Sequence, residues 1–393
     1  MISKTKNISM CLILILPILS ISTALSTDKI IYVDDDGEAD YNNIQDAIDA
    51  ASENDTIFVY SGWYNETLLI EKQVTLIGEN RETTLIDGGG RDDVITLGSE
   101  RIKISNFTIQ NSCNDVRVGW WKAGIRILSS HVIIEENIIQ NNLLGIFIKQ
   151  VEHLTIRNNW FYNDSITIFP YDTNYSTRPN LEKKHFIHQI QDNYVNDKPL
   201  LYYVDESDMI LSSDIGQLIL VNCTNISLID TEISSADFPV LFVLCHACRI
   251  ENMTFLDNDG MCAFLESDNN TICYNYFQNN LHGLLLDYGS ESNQIYYNTF
   301  TANRFCGVVC EYFSNENSIY QNDFIENPRS NAFVIRAFKN EWNENYWSDW
   351  IGLQSPMYQN FPKMIVGTLF DLYQYIPSLI NFDFNPRLAP HGF

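Results

Sequence analysis

An apolar residue flanked by Asn or Asp returns along this chain at almost constant intervals. The anchors are Ile109 in SNFTIQN, Ile139 in ENIIQNN, Phe161 in NNWFYND, Ile233 in DTEISS, Phe255 in NMTFLDN, Phe277 in NYFQNN, Phe300 in NTFTAN, Phe324 in NDFIEN and Trp347 in NYWSDW. Successive spacings are 30, 22, 72, 22, 22, 23, 24 and 23 residues. A unit that small has no core of its own, so it must bury its apolar face against copies of itself.

Within the units, apolar residues alternate with others: Ile125 and Ile127, Val132 and Ile134, Ile146 and Ile148, Leu154 and Ile156. A period of two means strands. Three short strands joined by tight turns fill one unit and make one coil of a parallel β-helix, with coils stacked at roughly 4.8 Å. The anchors then form an inward column of like on like. The abundant Asn residues fit the turns, where they tolerate left-handed backbone and their amides can reach the next coil. A leucine-rich horseshoe has a similar period, but here Leu does not dominate and no unit holds a helix. The expected fold class is all-β.

The ends and interruptions organise the chain. Lys4 and Lys6 precede an apolar run from Met10 to Ile21, and Ala24-Leu25-Ser26 fits a cleavage site, so residues 1–26 read as a signal peptide. Residues 27–95 read as an N-terminal cap with the first coils: a strand at Ile30 to Val33, then a helix near Asn43 to Ser52 with Ile44, Ala47, Ile48 and Ala51 on one face. Residues 96–350 carry the coils, with extra residues near 113–122 and a larger insertion at about 164–215. Residues 351–393 read as a C-terminal capping extension in which KMIVGTLFDLYQYI forms an amphipathic helix.

Charge narrows the partners. With 50 acidic and 24 basic residues the net charge is −26, which repels nucleic acid and anionic lipid and favours cations or neutral ligands such as sugars. After signal cleavage no integral membrane span is expected, and the chain reads as a secreted or cell-surface monomer.

The stretches IYVDDDG, NNIQDAIDAASENDTIFVYSGWYNETLLI, DNYVNDKPLLYYVDES, GQLILVNCTNISL and NYWSDW resemble the NosD-type right-handed β-helix proteins, within the carbohydrate-binding and sugar hydrolase repeat families. The closing WIGL…FPKMIVG…NFDFNP is similar to exported surface proteins of archaea. The resemblance covers most of residues 28–350. It implies a right-handed, single-stranded, pectin lyase-like β-helix with caps at both ends. It says little about activity, because that fold hosts lyases, hydrolases, adhesins and accessory proteins.

Several residue groups carry possible chemistry. Asn258-Asp259-Gly260 and His282-Gly283 are reminiscent of polygalacturonase motifs, but the companion carboxylate pair is missing and turns explain them. Lys183, Lys184, His185 and His188 form a basic cluster that suits a lyase base or a loop balancing local acid. Cys245, His246 and Cys248 offer soft ligands for copper or zinc. Cys223 and Cys245 each precede an anchor by ten residues and should stack, which leaves core packing, disulfides and metal all open for these cysteines. Asp34-Asp35-Asp36-Gly37 resembles a calcium loop without the rest of that motif. Trp120 and Trp121, adjacent in an inserted loop, are the candidate carbohydrate platform. The expected function is a non-enzymatic exported protein binding glycans or surface glycoproteins. The alternatives are a polysaccharide lyase or hydrolase, and a copper- or zinc-binding accessory protein of NosD type.

Overall fold

The computed structural model describes residues 28–113, 121–170, 181–350, 362–368 and 379–392. It is a right-handed parallel β-solenoid of about 13 turns, with one α-helix among the described residues. No helix among the described residues is long and apolar enough to cross a membrane.

Each coil contributes a strand to three faces. In the first half, one face runs from Ile30–Val33 through Thr56–Val59 to Gln189–Gln191; a second runs from Gly62–Tyr64 through Thr84–Asp87 to Tyr194–Val195; a third runs from Leu68–Ile70 to Ile166–Ile168. The anchors lie on the second face and stack as the repeat requires. Ile109, Ile139, Phe161 and Val195 are register partners, and so are Ile233, Phe255, Phe277, Phe300, Phe324 and Trp347. From Phe255 to Trp347 successive ring centroids are 4.8, 4.7, 5.1 and 4.3 Å apart, within 14° of parallel. Val195 supplies the level that the 72-residue interval conceals.

The Asn residues stitch the corners. Oδ1 of Asn275, Asn298, Asn322 and Asn345 each accepts the backbone N–H of the equivalent residue one coil earlier, at 2.9 to 3.0 Å. Parallel ladders run through Asn258, Asn280, Asn303 and Asn327, and through Asn270, Asn293, Asn317 and Asn340. These amides are buried, so each unpaired one would cost the full desolvation of a polar group.

The halves meet at a seam. Tyr194–Val195 turns back antiparallel into Lys198–Val204 through Asn196 and Asp197, both at positive φ (49° and 63°), the geometry of a two-residue hairpin turn. Lys198–Val204 then runs parallel to Gln217–Val221. Gln217 bonds both the N–H and the carbonyl of Ile166, while Asp237 Oδ2 accepts from Gly145 and Ser165 at 2.8 Å. These side chains replace the backbone pairing that the hairpin interrupts.

The larger insertion packs onto the solenoid as well as lengthening it. Leu181 N–H donates to Glu266, and Tyr288 donates to the carbonyl of Pro170. Every residue of Gln217–Val221, Val240–Val243, Cys262–Leu265 and Cys306–Cys310 is buried, so the third face of the second half is covered on its outer side.

The helix Ile44–Ala50 closes the first coil, with Asn43 as N-cap, and buries Ile44, Ala47 and Ile48. The other end corrects an expectation. The run beginning at Lys363 is a strand, Lys363–Thr368, paired antiparallel with Leu379–Asp383 and parallel with Ser330–Ile335. An open sheet edge offers unpaired N–H and C=O groups, which a strand satisfies and a helix does not.

Candidate carbohydrate-binding groove

The sequence candidates fall in different surroundings. Trp120 lies outside the described residues. Trp121 is half-buried: its ring stacks 5.2 Å from Phe169 and lies 5.8 Å from Phe147. Its carbonyl accepts from Arg126, whose guanidinium also pairs with Asp93 at 2.7 Å and covers Phe147 at 4.7 Å. The ring is thus fastened over the third face.

Cys245 and Cys248 are buried, whereas His246 between them is exposed, with Nδ1 3.4 Å from the Asn269 amide. Cys245 and His246 face opposite sides, and the corner at Ala247, with φ 53°, turns Cys248 back inward. In the basic cluster, Lys183 pairs with Asp205, and Lys184 pairs with Glu152 and Glu182 at 3.1 Å each. His188 is buried there, and desolvation pushes its pKa down to about 4. Asn258 is a ladder member, Asp259 pairs with Arg304 at 2.7 Å, and burial holds His282 near 3. Among the described residues, Asp34, Asp35 and Asp36 are the one group bringing three potential metal ligands within 4.8 Å of one another.

The second face of the first half carries a different arrangement on its outside. Trp63, Leu85, Thr108, Ile138, Trp160 and Tyr194 are register partners along one outward column. Asp87, Gln110, Gln140 and Tyr162 form the next. Between these columns and the turn at Arg81 and Glu82 lies a cavity of about 320 Å³, lined by Leu85, Thr108, Ile138, Gln140, Trp160 and Tyr162. The Arg81 guanidinium sits 3.9 Å over the Trp160 ring, whose other side faces Tyr194 at 5.6 Å. The polar edge is ordered: Gln140 donates to Gln110 (2.8 Å), Gln110 to Asp87 (3.0 Å) and Tyr162 to Asp197 (3.1 Å). Trp63 continues the column at the N-terminal end and is 63% exposed. An apolar floor with a few fixed amides and hydroxyls is the chemistry of a small polar ligand site.

Sequence reasoning missed this groove because Trp160 stands beside an anchor. The signal was present in Trp160-Phe161-Tyr162. With Phe161 inward, alternation forces both flanking aromatics outward.

Residues 183–352 match the family model described as periplasmic copper-binding protein (NosD), and residues 28–181 the model described as right handed beta helix region. No curated protein matches the chain. Among solved structures it is similar to the lacto-N-biosidase from Eubacterium ramulus, at 12% identity and TM-score 0.38 over 80% of this chain and 68% of that one. It is also similar to an alginate lyase from Paenibacillus sp. str. FPU-7, at 12% and 0.33 over 80% and 95%. A third is the pectin methylesterase from carrot, at 11% and 0.28 over 79% and 82%. At such identities these likenesses say nothing about chemistry. Cys245, His246 and Cys248 do not converge as a ligand set for the copper in the NosD description: the two thiols point inward, His246 points outward, and no three Cys or His ligand atoms among the described residues gather within 4.8 Å. The described residues thus form a right-handed parallel β-helix of the kind that the second model describes, and residues 183–352 match the NosD model.

Proposed function

We propose that this protein is an exported, non-enzymatic scaffold that binds glycans along the outer second face of its first half. The observation that carries the reading is the cavity between Arg81 and Trp160, with its apolar floor of Leu85 and Ile138 and its amide edge of Gln110 and Gln140. A sugar matches both parts, burying C–H faces on the floor and giving hydroxyls to the amides. The coils hold these groups at strand spacing, so little order is lost on binding. The net charge of −26 favours neutral glycans over polyanions.

A glycan array tests this. Wild type should bind a defined set of oligosaccharides, and Trp160→Ala should weaken binding about tenfold, a change of about 1.4 kcal/mol, because it removes a wall of the cavity and the ring that holds Arg81 over it. Unchanged binding in Trp160→Ala would remove the groove as the site. The Trp120–Trp121 pair is a second proposed contact, tested by its own double alanine substitution on the same array.

A further inference from the structure

Three buried cysteines meet at one corner of the second half. Cys223 and Cys245 hold equivalent positions of adjacent coils: Thr224 pairs with His246 in parallel register, and the His246 N–H donates to the Cys223 carbonyl at 2.9 Å. Their Cα atoms are therefore about one strand spacing apart, roughly 4.8 Å, within the span of a disulfide. The Cys245 thiol donates to the Leu220 and Val243 carbonyls at 3.4 Å each, and the Cys248 thiol to the Cys223 and His246 carbonyls at 3.8 and 3.5 Å. The cysteines of later coils lack such partners in register. Cys262 faces Leu284, Cys273 faces Glu251 and Tyr296, Cys306 faces His282 and Ser330, and Cys310 faces Leu286 and Val334.

The corner also sets the backbone of Cys245 at the end of a polar column. A serine ladder leads into it: Ser314 Oγ accepts from Ser290 N–H, Ser290 Oγ from Ser267, and Ser267 Oγ from Cys245.

We infer that Cys223 and Cys245 close a disulfide between adjacent coils at the start of the second half, by exchange with an external low-molecular-weight disulfide. The Cys223 thiolate attacks one sulfur of R–S–S–R and releases RS⁻, which takes the Cys245 proton. The Cys245 thiolate then attacks the Cys223 sulfur, and the second RS⁻ leaves and is protonated by solvent. Two protein thiols are oxidised and R–S–S–R is reduced to two RSH. Because both sulfurs are buried in the folded chain, the exchange belongs to the period before the corner closes.

The test is to refold the full chain in mixed oxidised and reduced glutathione, quench with acid, alkylate and map peptides. The expected result is a cross-linked peptide joining Cys223 to Cys245, two fewer titratable thiols than after full reduction, loss of that peptide in Cys223→Ser and its retention in Cys248→Ser. A full thiol count in the refolded wild type overturns the inference. So does a cross-link of Cys245 to Cys248, or of any other pair, in place of this one.

Discussion

Asn279 and Asn280 are adjacent and do separate work. Asn279 is exposed at φ 56° and turns the corner, a conformation that Asn tolerates better than most side chains. Asn280 is buried. Its Oδ1 accepts from the backbone and side-chain amides of Asn258 at 3.1 and 2.7 Å, and its Nδ2 donates to Asn303 and to the Phe255 carbonyl at 3.1 Å each. The division explains how a chain with only 18 Gly turns so many corners. It also sets a contrast measurable by denaturant unfolding. Asn280→Ala leaves buried donors unpaired and should cost about 2–4 kcal/mol. Asn279→Gly keeps the corner and should stay within about 0.5 kcal/mol. The doublets were legible in the sequence, but which member turns and which bonds follows from register.

Between strands and coils, the seam is where charge enters the interior. Asp164 accepts from the Asn142 backbone and side chain (3.0 and 2.7 Å), yet burial raises its pKa to about 7. Asp237 is raised well above the carboxylate range by burial and then by Asp164, and Asp287 is raised to about 7 by burial. A raised folded-state pKa means that the native state keeps protons the unfolded chain has released. Stability contributed by these groups is full below the ordinary carboxylate value and falls as pH rises through the raised one. His188 and His282, depressed to about 4 and 3, act in the opposite sense only up to their ordinary value of 6.5. Thermal melts should therefore show stability declining between pH 6.5 and 8, and Asp237→Asn should make that decline shallower. An unchanged slope would mean that Asp237 does not titrate there. The sequence marked an interruption at this place, but Asp164 and Asp237 are 73 residues apart and only the fold makes them neighbours.

The whole molecule is a stack with two vulnerable ends. At the last coil, Asp383 Oδ2 accepts the Asn345 backbone N–H, the Asn345 amide and the Trp347 indole N–H, each at 3.0 Å, so one carboxylate ends both the Asn ladder and the aromatic column. Asp383→Ala should release the terminal hairpin, lower stability by about 3 kcal/mol, and expose a sheet edge that self-associates. Size-exclusion chromatography and light scattering of the variant check this; a monomer of wild-type stability would assign the closure elsewhere. The amino-acid sequence by itself determined the coil, its period, the stacked anchors and the opening helix, because each depends on spacing that local chemistry imposes. It misread the terminal strands, since KMIVGT can serve a helix or an edge and only the open last coil decides between them. Spacing also stacked Cys223 on Cys245, whereas the groove beside Trp160, the placing of Cys248 at that corner and the buried carboxylates were decided by tertiary structure. Each joins residues from different coils, and whether their side chains face one another depends on register and on what covers each face.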